Sequence, residues 1–454
     1  MTAATAAAAL SRASLALPTP PVRIVHLGLG AFHRAHQAWY TAHASDSDQW
    51  GIASFTGRAG EPGDSIVRAL RDQDCLYTLA LRGPEADEFE VIGSIVRAHP
   101  ANDVDAFIDY LTDPQVGIVT ATVTEAGYRL GADWRPNTDD PVVASDLASL
   151  SAGSLELESP LALIARGLAE RRDAGAGPVA VMPCDNIPDN GDLVRTGLLE
   201  FAAAIDESLV SWIDENVSFV STSVDRITPR FSEQDLASAR DAGFGDAVPV
   251  VTEPFINWIL CGGFPAGRPA WETAGAQFVE DLAPFESRKL WLLNGSHTGM
   301  ANLGRARGLA TVADASADPE CRDLVEAFWS EVVRHLPAEV EAEQYCRDLW
   351  ERFENPRIAH LLDQIAEDSL AKLRVRVAPV ALAERQAGRS GSGSAGVIAA
   401  WAANVIALDG RRDALQAAID AALEDSDPVV ALVTLVATDL GADEAFVDEV
   451  RAQI

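Results

Sequence analysis

Three side chains of one short segment have the chemistry needed to act on a substrate together. Lys289, Asn294 and His297 supply an amine, an amide and an imidazole. At about 100° per residue they fall within an arc of about 140° on one α-helix. Such a set beside an apolar flank is unusual for a core helix. The alternative is a solvated helix face with a capping asparagine, which is the commoner meaning of an isolated triplet.

The lysine content of the chain favours a chemical role for this segment. Of the 35 basic residues only Lys289 and Lys372 are lysines, and all the others are arginines. An arginine keeps its proton in a protein, whereas a partly buried lysine can release it. A position that has kept a lysine is therefore a candidate for proton transfer.

A glycine-rich turn after the first predicted strand is typical of a dinucleotide site. Gly28 and Gly30 stand between a strand and a helix, where glycines let the backbone approach a pyrophosphate. His33 occupies the place of the third glycine of the usual pattern, so an ordinary tight turn is an alternative of equal weight. The candidate cofactor-binding residues are Gly28, Leu29, Gly30, Ala31, Phe32 and Arg58.

The end of the second predicted strand bears on the choice between NAD and NADP. NAD-binding domains usually carry an acid there, about 20 residues after the glycines, to bind the ribose. Here Phe55 is followed by no acid before Glu61. The expected cofactor is NAD, and Arg58 leaves NADP open because its guanidinium could meet a 2′-phosphate.

Polar residues also stand at the ends of other predicted strands. Glu125, Asn186 and Asp225 lie near the edge at which α/β sheets bind ligands. Asn186 could donate to a substrate oxygen, and an Asx-turn is the alternative for it. Taken singly, such residues more often shape a loop than take part in chemistry.

The elements that must position these residues change in kind along the chain. Up to about residue 281, short apolar runs alternate with helical patterns, which predicts a doubly wound α/β domain of the Rossmann type. Beyond residue 284, amphipathic helical patterns dominate. The predicted strands are Arg23–Leu27, Gly51–Phe55, Gly117–Thr122, Val179–Met182, Ser218–Ser223 and Val248–Thr252. The predicted helices include Cys321–His335, Val397–Leu408 and Arg412–Leu423.

These patterns predict three regions. Residues 1–22 are expected to form a loose leader, because they are rich in Ala, Thr and Pro and lack the basic start of a secretory signal. Residues 23–280 are expected to form a dinucleotide-binding domain, and residues 281–454 a helical substrate and catalytic domain. The segment Arg389–Gly396 has no strand before it and no lysine after it, so we expect a flexible helix–helix connection rather than a phosphate loop.

The composition excludes several classes of protein. The 454 residues are long enough for two or three domains. A formal charge of −33 argues against nucleic acid or an anionic membrane as a partner. The five cysteines are scattered without a CxxC, and no apolar run is long enough for a transmembrane helix. We therefore expect a cytoplasmic protein with free thiols and no bound metal.

Nine segments, spread over most of the chain, resemble the metal-independent long-chain polyol dehydrogenases, the family of mannitol dehydrogenase and fructuronate reductase. They occur in the family's order, which makes the resemblance specific. They are IVHLGLGAFHRAHQ (24–37), QDCLYTL (73–79), TVTEAGY (122–128), VMPCDNIPDNGD (181–192), VDRITP (224–229), EPFINW (253–258), FPAGRPAWE (264–272), KLWLLNGSHTGMANLG (289–304) and DSLAKL (368–373).

The resemblance implies an activity and a set of catalytic residues. The implied reaction is the reversible oxidation of a secondary alcohol on a linear polyol or sugar acid, with hydride passing to NAD. The family's catalytic lysine falls on Lys289, which would take the hydroxyl proton as general base. Its two oxyanion-hole asparagines fall on Asn186 and Asn294.

Other site positions follow from the same resemblance. The substrate-binding histidine falls on His297 and a second substrate-site lysine on Lys372. Asp225 would support the site, and Glu125 would lie near a proton route to solvent. The lysine and the amides would replace a Lewis acid, so no metal is implied.

The substrate is the least determined part of the implied function. The segments FPAGRPAWE and LLNGSH favour D-mannonate and D-fructuronate, and mannitol with fructose is the alternative. Two departures bear on this choice: Ile259–Gly263 replaces an acidic pair, and Arg374 replaces a proline after Lys372. A sugar phosphate and a non-catalytic NAD(H) sensor are more distant alternatives. The relatives imply a monomer or a weak oligomer.

Overall fold

The computed structural model describes residues 8–229, 232–407 and 413–454 of the chain. Between Leu282 and Ala283 the chain divides into two compact units. The first is built from strands and helices, and the second is almost wholly helical. The predicted fold class, a Rossmann-type sheet domain followed by a mostly α-helical domain, is confirmed.

A six-stranded parallel sheet organises the first unit. Its strands are β1 (Val22–Leu27), β2 (Gly51–Phe55), β3 (Ile95–His99), β4 (Ile118–Ala121), β5 (Val179–Pro183) and β6 (Val217–Phe219). They lie in the order β3-β2-β1-β4-β5-β6, and every neighbouring pair is parallel. This is the order of a Rossmann-type sheet, which binds ligands at the carboxyl ends where the order reverses, beside β1.

Continuous apolar runs make these strands because both faces of the sheet are covered. Within β1, Val25 belongs to one hydrophobic core and the preceding Ile24 to the other. The first core includes Leu161 and Leu168 of the helix Pro160–Ala174, and the second includes Tyr40. Successive side chains of a strand point to opposite faces, and β1, β2, β4 and β5 each contribute to both cores.

The rest of the first unit consists of short strands and covering helices. The other strands are Ala8–Ala9, Tyr77–Arg82, Asp87–Ile92, Ser221–Asp225, Phe244–Gly245, Val250–Thr252, Asn257–Cys261 and Gln277–Phe278. The α-helices are Arg12–Leu15, Ala31–Ala35, Gln37–His43, Gly63–Asp72, Val104–Thr112, Glu125–Tyr128, Pro141–Ser151, Pro160–Ala174, Asn190–Ala203, Glu207–Asn216 and Glu233–Asp241, with 3-10 turns at Ser47–Gln49 and Trp271–Ala274.

The predicted strands are found, with one difference of substance. The prediction of a single strand at Ser218–Ser223 was wrong, because the chain changes sheet at Val220. β6 ends at Phe219, and Ser221–Asp225 pairs antiparallel with Asn257–Cys261. Val250–Thr252 likewise lies outside the parallel sheet, beside Tyr77–Arg82.

Residues 8–22, the described part of the predicted loose leader, are packed against the rest of the first unit. Ala8–Ala9 pairs with Phe244–Gly245. The Arg12 backbone donates to Asp74 Oδ2 at 2.9 Å, and its guanidinium donates to the Ile95 carbonyl at 2.9 Å. These contacts fix the segment against distant parts of the unit, and no local composition signals them. Residues 1–7 lie outside the described residues.

The second unit contains helices and, among its described residues, no strand apart from one bridge between Thr311 and Leu361. A π-helix at Lys289–Gly295 follows the helix Ala283–Arg288. The other α-helices are Ser296–Ala306, Val312–Ala317, Pro319–Val332, Ala342–Phe353, Leu362–Ala366, Ser369–Arg376, Ala378–Gln386, Ser392–Ala407, Gln416–Leu423, Pro428–Val436, Thr438–Gly441 and Glu444–Arg451, with 3-10 turns at Val333–His335 and Ala338–Val340.

The predicted helices of this unit are found with shifted ends. Cys321–His335 corresponds to Pro319–Val332 and its 3-10 extension. The other two predicted helices end or begin at Leu408 and Arg412, which lie outside the described residues.

The segment Arg389–Gly396 is not the flexible connection that its composition predicts, because the helix Ser392–Ala407 begins inside it. The buried carboxylate of Glu331 accepts from the backbone N–H groups of Gly393 and Ser394 at 2.7 and 2.8 Å. A Cβ on Gly393 would lie 2.5 Å from the Ala327 carbonyl oxygen, so this glycine permits close helix packing. Small residues here serve contact rather than mobility.

All five cysteines are free thiols. In the described ranges, no helix combines the length and the apolar character needed to cross a bilayer.

Candidate active site

The loop after β1 has a backbone that only glycine fits. Gly28 has φ +116°, and an added Cβ would lie 2.4 Å from Thr122 Oγ1. The N–H groups of Gly28 and Leu29 donate to the Phe55 carbonyl at 2.9 and 2.8 Å, which ties this loop to the end of β2. The turn therefore lies against β2 and β4 at the carboxyl edge of the sheet.

Space remains where a dinucleotide would approach. Gly30 precedes the first turn of Ala31–Ala35, and an added Cβ there would meet nothing nearer than the Gly28 carbonyl oxygen at 3.7 Å. The first N–H groups of a helix have no partner within it, and they favour an anion. The space beside Gly30 therefore leaves room for an anion at this turn.

His33 shows why this loop can lack the third glycine. Its buried ring stacks on His26 with the ring centroids 3.4 Å apart, and its Nε2 lies 3.0 Å from Ser54 Oγ. Burial lowers the pKa of His26 to about 3 and that of His33 well below its usual value, so both rings are neutral. The stacked pair fills the space between helix and sheet that a third glycine would otherwise close. Sequence reasoning missed His26.

The residues after β2 carry no acid in the ribose position. Thr56 Oγ1 donates to the Arg58 carbonyl at 3.0 Å and shapes the turn. Glu61, the first acid, accepts from Ser65 N and from Arg68 at 3.2 and 2.6 Å at the start of the helix Gly63–Asp72. The Arg58 side chain is exposed.

The loops that carry Glu125 and Asn186 are joined by a pair of residues that the sequence did not reveal. Tyr128 Oη donates to Asp185 Oδ2 at 2.5 Å. Burial raises the pKa of both Tyr128 and Asp185. Glu125 and Asn186 themselves are exposed. The Tyr128–Asp185 bond thus fixes the loop after β5 against the helix after β4.

Asp225 ends the strand Ser221–Asp225 and is 8% exposed. It lies opposite Asn257 in the antiparallel pair. The neighbouring Arg226 donates to the Glu253 carbonyl at 3.1 Å and to the Ala35 carbonyl at 2.5 Å, which connects this strand with the helix after the glycine loop.

In the second unit, the segment with Lys289 and Asn294 departs from the predicted α-helix. Lys289–Gly295 is a π-helix, which continues as the α-helix Ser296–Ala306. Hydrogen bonds from i to i+5 widen each turn, so residues five apart become neighbours on its surface. The predicted α-helical angles were therefore wrong here, and the correction places Asn294 closer to the direction of Lys289.

Side chains from neighbouring helices hold this π-helix. Trp329 Nε1 donates to the Leu292 carbonyl at 3.0 Å. The Asn294 carbonyl accepts from Thr298 Oγ1 at 3.0 Å and from Arg376 Nη1 at 3.2 Å. A Cβ on Gly295 would lie 2.6 Å from Phe328, so glycine allows the close approach. Such single-turn π-helices are frequent at functional sites.

His297 lies one turn after Asn294 and is 8% exposed. Its ring centroid is 5.1 Å from that of Phe353 and 4.8 Å from that of His360, in an edge contact with the latter. Burial, followed by the charge of Arg352, lowers the pKa of His360. Sequence reasoning missed His360, which no motif marks.

Lys372 lies on the helix Ser369–Arg376. Its Nζ donates to the Ile365 carbonyl at 3.0 Å and to the Glu367 carbonyl. Burial, followed by the charge of Arg376, lowers the pKa of Lys372. The bond from Arg376 to the Asn294 carbonyl joins this helix to the π-helix.

The predicted residues divide between the two units, and Asp225 lies outside the parallel sheet. In the first unit the glycine loop, Arg58, Glu125 and Asn186 follow parallel strands and share one edge of the sheet. In the second unit the candidates are Lys289, Asn294, His297 and Lys372. Within the described parts of the chain, no cluster of three or more His, Cys, Asp or Glu side chains is arranged to hold a metal ion.

Comparison with known proteins gives consistent matches. The model of the mannitol dehydrogenase Rossmann domain matches residues 22–273, and that of the mannitol dehydrogenase C-terminal domain matches residues 281–454. D-mannonate oxidoreductase of Escherichia coli (strain K12) is 40% identical over 307 residues, which are 66% of this chain and 62% of that protein. The match therefore spans less than two thirds of that relative.

Two solved structures are similar over nearly their whole length. The ternary complex of Pseudomonas fluorescens mannitol 2-dehydrogenase with NAD and D-mannitol has a TM-score of 0.77 and 32% identity, and the match covers 98% of this chain and 96% of that one. A substrate-free D-sorbitol dehydrogenase has a TM-score of 0.88 and 27% identity, with 98% and 97% covered.

Proposed function

This chain belongs to the mannitol dehydrogenase family, and on that premise we propose that it is an NAD-dependent oxidoreductase. The reaction interconverts a secondary alcohol of a linear sugar acid or polyol and the corresponding ketone. The observation that carries the proposal is the π-helix that presents Lys289 and Asn294 on neighbouring positions. In the first unit, the glycine loop with open space at Gly30 supports NAD binding.

Each proposed residue has a role that its chemistry permits. NAD, when bound, supplies the hydride acceptor, and Gly28–Phe32 would hold its pyrophosphate. Lys289 accepts the hydroxyl proton as general base. Asn294 and Asn186 donate hydrogen bonds to the oxygen as it gains charge, each worth about 3–4 kcal/mol in the transition state.

The remaining proposed residues orient the substrate and move the proton. His297, held between Phe353 and His360, positions a neighbouring hydroxyl. Lys372 and Asp225 bind or support the substrate, and the exposed Glu125 passes the proton to solvent.

The favoured substrate pair is D-mannonate and D-fructuronate. Its support is the similarity to D-mannonate oxidoreductase and the FPAGRPAWE and LLNGSH segments. The second candidate is mannitol with fructose, supported by the similarity to mannitol 2-dehydrogenase over 98% of this chain. NADP is the alternative cofactor, because the exposed Arg58 could bind its 2′-phosphate and the turn after β2 has no acid beside this residue.

Replacement of Lys289 tests the proposal. We expect Lys289→Ala to fold and to bind NADH, and to lose about 10²–10⁴-fold in kcat, because general base catalysis is removed. Lys289→Arg is the matched control: it keeps the positive charge but cannot release a proton, so it should be as inactive as the alanine variant. Full activity of either variant would reject Lys289 as the base.

A further inference from the structure

The guanidinium of Arg376, in the second unit, uses only part of its hydrogen-bonding capacity. Nη1 donates to the Asn294 carbonyl and to Thr298 Oγ1, both at 3.2 Å. Nε is buried and has no hydrogen-bond partner among the described residues. A guanidinium has five N–H donors, and the hydrogen bonds of Arg376 use Nη1 alone, so no described residue accepts from the edge formed by Nε and Nη2.

Two arginines with structural roles have their donors more fully occupied than Arg376. Arg171 is fully buried and donates to five backbone carbonyls through Nε, Nη1 and Nη2, at 2.8 to 3.3 Å. Other arginines meet carboxylates, as Arg385 meets Asp443 at 2.7 Å. Arg376 has neither arrangement. Leaving a buried donor of a charged group unsatisfied costs free energy, so a partner for this edge is expected.

Lys372 adds a second positive charge one helical turn before Arg376. Its ammonium also donates to the Ile365 and Glu367 backbone carbonyls. The charges of Asp368, Glu367 and Asp413 partly offset the lowering of its pKa by burial and by Arg376. Like charges at positions i and i+4 of a helix repel each other.

We infer that Arg376, together with Lys372, receives the carboxylate of an acidic substrate. The unused Nε and Nη2 edge has the planar fork that binds both oxygens of a carboxylate. The same guanidinium donates to the backbone carbonyl of Asn294. The carboxylate would therefore bind next to the residue whose side-chain amide is the proposed oxyanion donor. Specificity for a sugar acid over an uncharged polyol is thereby assigned to these two cations. This inference rests on the proposed function.

The test compares two ligands that differ at one carbon. D-mannonate carries a carboxylate where D-mannitol carries a hydroxymethyl group. Binding of each to the full chain with NADH present is measured by calorimetry, for the unaltered protein, for Arg376→Met and for the control Arg347→Met. Arg347 lies on the helix Ala342–Phe353 of the same unit and is exposed, with Nε donating to Gln344 Oε1 at 3.2 Å. Circular dichroism melting checks that each variant folds.

We expect Arg376→Met to weaken D-mannonate binding about 10–100-fold and to leave D-mannitol binding within about twofold, because only the acid loses a charge-assisted bond. Arg347→Met should change the binding of neither ligand. Equal weakening of both ligands would overturn the inference, since Arg376 would then act only by positioning Asn294. No effect on D-mannonate would also overturn it.

Turnover measured on the same samples separates this inference from the proposed function. Acid-selective binding without turnover of any substrate would reject the proposed activity and support the carboxylate site. Turnover of sugar acids with unchanged kinetics in Arg376→Met would support the activity and reject the carboxylate site. If Arg376→Met does not fold, Arg376→Lys replaces it, since it keeps the charge, loses the fork and should weaken D-mannonate binding selectively.

Discussion

The ionised carboxylate of Glu384 is predicted to stabilise the folded protein by an amount that depends on pH. Its side chain is 1% exposed and accepts from Arg334 at 2.8 Å, from Arg389 at 2.7 Å and from His335 at 2.6 Å. Burial opposes ionisation, but the hydrogen bonds from Arg389, Arg334 and His335 prevail and lower the pKa of Glu384 to about 2. The substitution Glu384→Gln keeps the shape of the side chain and removes its charge.

The expected loss follows from the pKa. Relative to an ordinary value of 4.5, a pKa of about 2 in the folded state corresponds to about 3 kcal/mol of stabilisation by the ionised group. Because the folded pKa is the lower one, this stabilisation is complete above pH 4.5 and declines as the pH falls toward 2. At pH 3 less than half of it remains.

Urea unfolding at pH 7 and at pH 3 measures both values. We expect Glu384→Gln to lower the free energy of unfolding by about 3 kcal/mol at pH 7 and by less than half as much at pH 3. The control is Glu339→Gln, at an exposed glutamate of the same unit, which should change little at either pH. An equal loss at both pH values would refute the electrostatic reasoning and leave only altered packing as the cause.

Two further predictions concern the cofactor and the metal. Gly28→Ala should abolish NADH binding measured by fluorescence titration while the protein still folds, because its Cβ would lie 2.4 Å from Thr122 Oγ1 at φ +116°; unchanged affinity would contradict the assigned loop. Incubation with EDTA should leave the rate of ketone reduction unchanged, because Lys289 and the asparagines are proposed to act without a Lewis acid; a loss restored by zinc would overturn the mechanism.

The sheet was predictable because its signal is local. Continuous apolar runs flanked by turns marked β1, β2, β4 and β5 within two residues of their observed ends. The alternation of strands and helices predicted a doubly wound sheet, but neither β3 nor the order of the strands was predicted. The change of sheet at Val220 was not predictable, because an apolar run does not show which neighbour each half pairs with.

The departures in the candidate site have non-local causes. A short apolar segment has the same composition in an α-helix and in a π-helix, and Lys289–Gly295 is held in the latter by Trp329 and Arg376 from other helices. Asp185 and Tyr128 meet although 57 positions separate them. The residue types at the site were therefore readable from the sequence, while the geometry depends on partners that only the fold brings together.

The central claim, that the chain reduces ketoses or keto acids with a nicotinamide cofactor, is tested most directly by initial rates of NADH and NADPH consumption on purified protein. The substrates are fructuronate, tagaturonate, fructose, xylulose and fructose 6-phosphate. We predict consumption of NADH that is fastest with fructuronate, and the ratio of the NADH and NADPH rates reports the role of Arg58. Bound NADH with no consumption on any of these substrates would contradict the account and favour a sensor without turnover.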